Sequence, residues 1–238
     1  MTSAVQEIER ALAQAGVSSS REVTSLLAVQ LELVLEENQR MNLTAIRDPD
    51  RAVWLHVVDS LLGLGALEYC LPGSLCDIGS GAGYPGIPLA LETGRRVTLV
   101  ESVAKKARFL QHLIEVLGLS GEALPIRAEA LARDREGSYS AVTARAVSAL
   151  PSVLELATPL LKQGGRVICF KGAPEAMEEE RGEAAAMLLG LSWVSREEFT
   201  LPLPEGPVRR TVIVYARTRV AGVHLPRREG LAQHSPLA

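Results

Sequence analysis

Cysteine, lysine and aromatic side chains are all scarce in this chain. Its 238 residues hold three cysteines, Cys70, Cys76 and Cys169. An odd number with no C-x-x-C spacing excludes a disulfide framework and the usual zinc and redox motifs, leaving three small buried apolar residues. The four histidines, His56, His112, His224 and His234, show no H-E-x-x-H or similar spacing, so no metal site is expected. No uncharged apolar run approaches the roughly 20 residues that span a bilayer. The first ten residues have neither a basic n-region nor an apolar h-region, so the expectation is a cytoplasmic protein with no membrane partner. A surplus of positive charge is missing as well. Lys and Arg number 25 against 28 Asp and Glu, a net charge of -3, so a polyanionic partner must meet a local patch rather than a bulk cationic field.

What is present suits a globular enzyme. Hydrophobic residues make up 47% and charged residues 22%, and the length fits one principal domain with an appendage. Charge is uneven along the chain. The first 60 residues carry five Arg and nine acidic residues, whereas from Glu205 onward there are six Arg and two Glu. Those six include Arg209, Arg210, Arg227 and Arg228, which read either as scattered solvated side chains or as a stripe that grips phosphates.

Residues 1–70 read as a helical block packed on the rest. Ser19-x-x-Glu22 is a capping-box pattern ahead of Val23, Leu27, Leu31 and Val34 at helical spacing. Asp48-Pro49 predicts an N-cap and a first-turn proline, with Trp54, Val57, Val58, Leu61 and Leu62 on one face of the helix that follows. From residue 71 to about 220 the rhythm alternates short β-rich runs with helical stretches. The predicted strands are 75–78, 96–100, 123–127, 140–144 and 166–170, followed by 193–201 and 211–216 with no long helix between them. Val103, Ala107, Leu110, Ile114 and Leu117 predict one helix face, which Gly118 terminates. The sum is an α/β, doubly wound, seven-stranded and mostly parallel sheet with an antiparallel edge hairpin. Residues 221–238 form a basic C-terminal tail, and a monomer is the default state.

The first strand runs into Asp77-Ile78-Gly79-Ser80-Gly81-Ala82-Gly83, where backbone can approach a ligand closely. Glu101 ends the second strand 22 positions after Gly79, placed to accept both hydroxyls of a ribose. A dinucleotide fingerprint needs G-x-G-x-x-G, but the completing position holds Tyr84. Asp77 puts an anion before the loop, poorly suited to phosphates and well suited to an ammonium group. These features favour S-adenosylmethionine over a dinucleotide, without excluding the latter. Ala128-Glu129, at the end of the third predicted strand, frames an adenine or simply begins a helix. Arg145 and Lys171 end the fourth and fifth strands, at the carboxyl edge where such sheets bind ligands, as site residues or as structural ion pairs.

Absent motifs narrow the methyl acceptor. There is no Asn/Asp-Pro-Pro-aromatic stretch for amino methylation of a base after the fourth strand, and no strand-end cysteine as nucleophile for carbon-5 methylation. A nucleophile that needs no deprotonation remains, and guanine N7 is one, requiring positioning alone.

The chain resembles the bacterial small-subunit ribosomal RNA guanine-N7 methyltransferases, the glucose-inhibited division protein B family. The resemblance is carried by Asn42-Leu43-Thr44, Asp48-Pro49, His56-Val57-Val58-Asp59-Ser60-Leu61, residues 77–90 with their Pro85-Gly86-x-Pro88-Leu89-Ala90 extension, Arg145-Ala146, Lys171-Gly172 and Pro226-Arg227-Arg228-Glu229-Gly230. It implies a Rossmann-like class I S-adenosylmethionine-dependent methyltransferase acting on N7 of a guanine in the 530 loop of 16S rRNA, free or in a small-subunit particle. It places the donor on Gly79, Tyr84, Ala128, Glu129 and Arg145. It also turns His56, Asp59 and Ser60, otherwise a polar strip between helices, into a border of the active site. Relatives often carry Leu or Phe at position 84, and often a His in the last strand where this chain reads Arg209-Arg210-Thr211.

Two other function classes stay open on sequence: a methyltransferase of small molecules or proteins, and an RNA-binding protein on a methyltransferase scaffold. Asp59→Ala is expected to impair donor binding or methyl transfer, measured by calorimetry and labelled-methyl incorporation. Unchanged values for both would remove the His56-Asp59-Ser60 strip from the active site.

Overall fold

The computed structural model describes residues 2–238, with side chains from Ala4 onward. In chain order the elements are α1 (Thr2–Gln14), α2 (Arg21–Glu37), α3 (Pro49–Ala52), a π-helical turn (Val53–Val58), α4 (Asp59–Leu61), α5 (Leu64–Glu68), β1 (Leu75–Ile78), α6 (Gly86–Thr93), β2 (Val97–Val100), α7 (Ala104–Val116), β3 (Gly121–Leu124), α8 (Ala128–Asp134), β4 (Tyr139–Arg145), α9 (Leu150–Ala157), β5 (Leu161–Lys171), α10 (Ala176–Leu189), β6 (Leu191–Leu203), β7 (Gly206–Arg217) and α11 (Leu231–His234). The seven strands form one sheet in the order β3-β2-β1-β4-β5-β7-β6. β1 to β5 pair in parallel, and β7 runs antiparallel to both β5 and β6. The predicted edge hairpin is therefore present, with β7 inserted and β6 on the outside.

Side chains that alternate along each strand divide the core into two layers, the period-2 consequence of the pleat. Leu75, Leu99, Ala141, Ile168 and Val214 lie on one face, in the same buried cluster as Ile8, Leu27, Leu31 and Val34 of α1 and α2. Cys76, Ile78, Val142, Val167, Cys169 and Tyr215 lie on the other, beneath α8, α9 and α10. The N-terminal helices thus share a core with the sheet. At the opposite end of the chain, α11 packs on α9. All three cysteines are buried and unpaired, and burial raises each thiol above its ordinary pKa. Among the described residues no helix is long and apolar enough to cross a membrane.

Several local expectations shift. The cap of α2 is Ser20, not Ser19: its hydroxyl accepts from the Val23 N–H at 3.2 Å. Asp48 caps α3 as predicted, accepting from Arg51 N–H at 2.9 Å. The next turn is π-wound, so each residue rotates less about the axis than in an α-helix and the buried face shifts: Val53, Leu55, Val57, Val58 and Leu61 are buried while Trp54 is only half-buried. Val103 is the N-cap of α7 and exposed rather than part of its buried face. β3 ends at Leu124 rather than Arg127, because Pro125 has no N–H to continue the ladder.

Gly86 opens α6 beneath the glycine loop, and its N–H donates to the Asp77 carboxylate at 3.3 Å. A Cβ there would stand 2.7 Å from Asp77 Cβ and 2.7 Å from Leu99 Cδ2. Gly86→Ala is expected to cost roughly 1–3 kcal/mol through this overpacking. Urea unfolding checks it, and an unchanged midpoint would mean that α6 shifts freely.

Candidate active site

A cleft of about 610 Å³ opens at the carboxyl ends of β1, β2, β4 and β5. Beyond β1 the chain reverses sharply: Gly79 and Ser80 both donate their N–H groups to Val100 O, at 2.8 and 3.0 Å. Gly79 has φ 68°, and a Cβ on it would meet Val147 Cγ2 at 2.6 Å, so only glycine fits. Gly81, at φ 57°, faces open space, and its N–H donates to Glu101 Oε2 at 3.2 Å. Glu101 Oε1 accepts from Val103 N–H at 2.8 Å. Two backbone donors therefore orient this carboxylate at the cleft wall, and its remaining lone pairs are free to accept a ribose diol.

Opposite the loop stands a charged cluster centred on Arg145, the last residue of β4. Its guanidinium donates to Leu55 O at 2.8 Å, to Asp59 Oδ2 at 2.9 Å and to His56 Nδ1 at 3.2 Å, and lies 5.6 Å from the centre of the Tyr84 ring. The π-turn presents Leu55 O and His56, and Asp59 follows directly after it. Asp59 also meets Arg210 of β7, at 3.2 Å from Oδ1, so this buried carboxylate sits between two guanidiniums. The His56 and Tyr84 rings stack with centroids 4.5 Å apart and planes 5° from parallel. An arginine only donates, so His56 Nδ1 is the acceptor and the ring proton lies on Nε2. Nε2 and Tyr84 Oη are both buried without a hydrogen-bond partner. Burial, and then the Arg145 charge, hold His56 down to about 3, and burial pushes the Tyr84 phenol upward. Ala146, next along, has φ 55°, a strained state for a residue other than glycine, and it too lines the cleft.

The predicted residues divide. Gly79, Gly81, Tyr84, Glu101, Arg145, Lys171, His56 and Asp59 line the cleft. Lys171 is committed, paired with Glu178 at 2.6 Å and donating to Ser148 O at 2.9 Å. Asp77 lies behind the loop. Its carboxylate accepts from Thr143 at 2.7 Å and from Gly86, and burial raises it to about 6 against hydrogen bonds from Thr143, Ser80 and Gly86. It holds the loop rather than facing a ligand. Gly83 also faces inward, toward Ile87 and Gln30. Ser60 is fully buried and returns its hydroxyl to His56 O, so it does not border the cleft. Ala128 and Glu129 open α8 and are not among the lining residues. The tail instead meets α8 here: Glu129 Oε1 accepts the Gly230 N–H at 2.8 Å.

The arginine stripe does not form one surface. Arg227 is spent as a fork on buried Glu155, with both contacts at 2.6 Å, and Arg210 is turned into the cleft toward Asp59. Arg209 and Arg228 remain exposed. Sequence reasoning missed Lys106, Phe170 and residues 43–46 as cleft walls. The Lys105-Lys106 pair in a chain with four lysines was a usable signal. Nothing in the pattern announced the π-turn.

A glycine loop at the switch point of a mostly parallel sheet, with a cradled carboxylate on the next strand, defines a Rossmann-like class I S-adenosylmethionine-dependent methyltransferase. Solved methyltransferases share the fold. A geranyl diphosphate methyltransferase in complex with sinefungin aligns at TM-score 0.54 and 17% identity, over 68% of this chain and 77% of that one. A putative methyltransferase from Bacillus halodurans aligns at TM-score 0.54 and 13% identity, over 66% of this chain and 98% of that one. Within that class the chain belongs to the rRNA small subunit methyltransferase G family, whose model matches residues 24–201. It is 38% identical to the ribosomal RNA small subunit methyltransferase G of Geobacillus thermodenitrificans over 97% of this chain and 98% of that protein. It is 40% identical to the one of Rubrobacter xylanophilus over 99% of this chain and 92% of that protein.

A histidine kept neutral in the fold but titrating freely when unfolded lets the unfolded state bind the extra proton between about pH 6.5 and about 3, so its contribution to stability falls as pH drops through that window. The stability advantage of wild type over His56→Gln is therefore expected to shrink across it, read by urea unfolding at a series of pH values. A difference independent of pH would mean that His56 is protonated in the fold.

Proposed function

We propose that the protein methylates N7 of a guanine in the 530 loop of 16S rRNA by direct in-line transfer with no general base. The observation that carries this reading is the state of His56 and Asp59, the proton acceptors beside Arg145; Glu101, the third in the cleft, is turned to the donor's ribose. His56 Nδ1 is occupied by Arg145, and Asp59 is held by two guanidiniums. Neither is free to take a proton, as methylation of an amine or a hydroxyl would demand. Guanine N7 has no proton to lose. Its lone pair forms the new N–C bond while the S–C bond breaks and its electron pair stays on sulfur, leaving the positive charge on the methylated base.

The residues present suit the donor: Gly81 leaves open space where a side chain would stand, and Glu101 turns free lone pairs to it. When bound there, S-adenosylmethionine supplies an electrophilic methyl group on a sulfonium. Glu101 holds the ribose, and the Gly79–Gly81 backbone lets the ligand approach closely. Tyr84 and His56 form a flat wall, and Arg145 locks that wall in place. Arg210, with its Nε on Asp59 and one Nη on Arg209 O, keeps a second Nη to offer a guanine O6 or a phosphate. Holding two reactants in line in this way supplies about 7–11 kcal/mol of barrier reduction.

The test is methyl transfer from labelled S-adenosylmethionine to small ribosomal particles, and to their free RNA, from cells lacking the protein, with the nucleoside identified by mass. Labelled 7-methylguanosine in the 530 loop is the expected product. Donor binding without RNA labelling would move the assignment to a small-molecule or protein substrate.

A further inference from the structure

Beside the active-site cleft lies a second groove of about 490 Å³, between the end of α2 and the first turns of α7. Its walls are Arg40, Met41, Lys105, Arg108 and Phe109, with Glu37 at one end. Arg40 lies 3.4 Å from Glu36 and 3.8 Å from Glu37, so it offsets one of the two negative charges at the acidic end. Lys105 and Arg108 are exposed, and no carboxylate lies within ion-pair distance of either among the described residues. They differ in this from Arg135, Arg145, Arg196 and Arg227, which are all bound by the chain's own acidic groups. Phe109 is half-buried, packed against the core with part of its ring uncovered.

The groove is joined to the cleft along two stretches of chain. Lys106, adjacent to Lys105, lines the cleft, and so do Leu43 and Thr44, two and three residues beyond Met41. The first turn of α7 carries no acidic residue. Lys105, in that first turn, is therefore at the helix end where a cation is disfavoured by about 0.3–1 kcal/mol.

We infer that this groove grips the RNA strand flanking the target base: Lys105 and Arg108 hold successive phosphates, and the Phe109 ring offers a face to one unstacked base. The inference rests on the RNA reading of the cleft. It also relocates the phosphate contacts, from an arginine tail partly consumed by internal ion pairs to a helix whose cations are free. A basic channel with an aromatic platform is the arrangement that suits single-stranded nucleic acid.

The experiment compares the full-length wild type with Lys105→Ala/Arg108→Ala on a transcribed RNA hairpin covering the 530 loop, with binding measured from about 50 to 200 mM salt and methyl transfer assayed in parallel. Each lost phosphate contact removes about 0.7–0.9 from the slope of log affinity against log salt. The double variant is therefore expected to lose about 1.4–1.8 units of slope and to raise KM for RNA, with kcat and KM for S-adenosylmethionine unchanged. Phe109→Leu, which keeps the packing, is expected to weaken binding roughly tenfold at an unchanged slope. If the wild type binds and methylates the RNA while the double variant keeps both slope and KM, the groove assignment fails and the cleft reading stands. If the wild type neither binds nor methylates small-subunit RNA, the cleft reading fails and the groove assignment falls with it.

Discussion

The guanidinium of Arg145 holds together parts of the chain that would otherwise only touch. It ends a central strand, yet its donors go to a backbone carbonyl and an imidazole of the π-turn and to the carboxylate that follows, and its face borders the tyrosine of the glycine loop. A charge this poorly hydrated survives only if every donor is satisfied, so the helical block must dock in one register for the sheet to tolerate it. Removing one partner of a buried ion pair costs about 3–5 kcal/mol, far more than the pair contributes over an apolar substitute. The cluster is accordingly a device for position rather than for stability.

That constraint explains the neighbouring features. The π-turn is energetically inferior to α-helix, but it delivers Leu55 O, His56 and Asp59 to one guanidinium. Stacking His56 on Tyr84 beside a fixed cation keeps the imidazole neutral and its tautomer defined. The strained Ala146 immediately after Arg145 marks where backbone comfort yields to placement. On the proposed reading, an acceptor atom with no proton to lose asks for this kind of site: rigid walls, oriented donors, and His56 and Asp59 already engaged by guanidiniums.

Legibility in the sequence followed the range of the interactions. The alternation of β-rich runs with helices marked the parallel sheet, because burying helices on both faces requires that rhythm, and the hairpin at its edge showed itself through the missing helix between its strands. The glycine loop and Glu101 were visible for the same reason: a strand, a tight turn and a second strand fix their separation along the chain. Errors arose where a local pattern had two equivalent solutions. Ser19 and Ser20 are both able to cap α2, and it is Ser20 whose hydroxyl accepts the Val23 N–H. Charges were read least well: Arg209, Arg210, Arg227 and Arg228 look alike in sequence, yet one forks onto Glu155, one turns to Asp59 and two stay in solvent.

The order of residues alone therefore settles the class of fold, the glycine loop after β1 and the carboxylate that ends β2, because each depends on short-range periodicity or on a turn that only glycine can make. The identity of an ion's partner, the winding of the turn at Val53–Val58 and the groove beside α7 were decided by the tertiary structure alone. These depend on pairs dozens of residues apart, such as Arg145 with Asp59 or Arg227 with Glu155. Whether an exposed-looking charge is spent inside the molecule or left for a partner is a question of distance in space, which spacing along the chain does not encode.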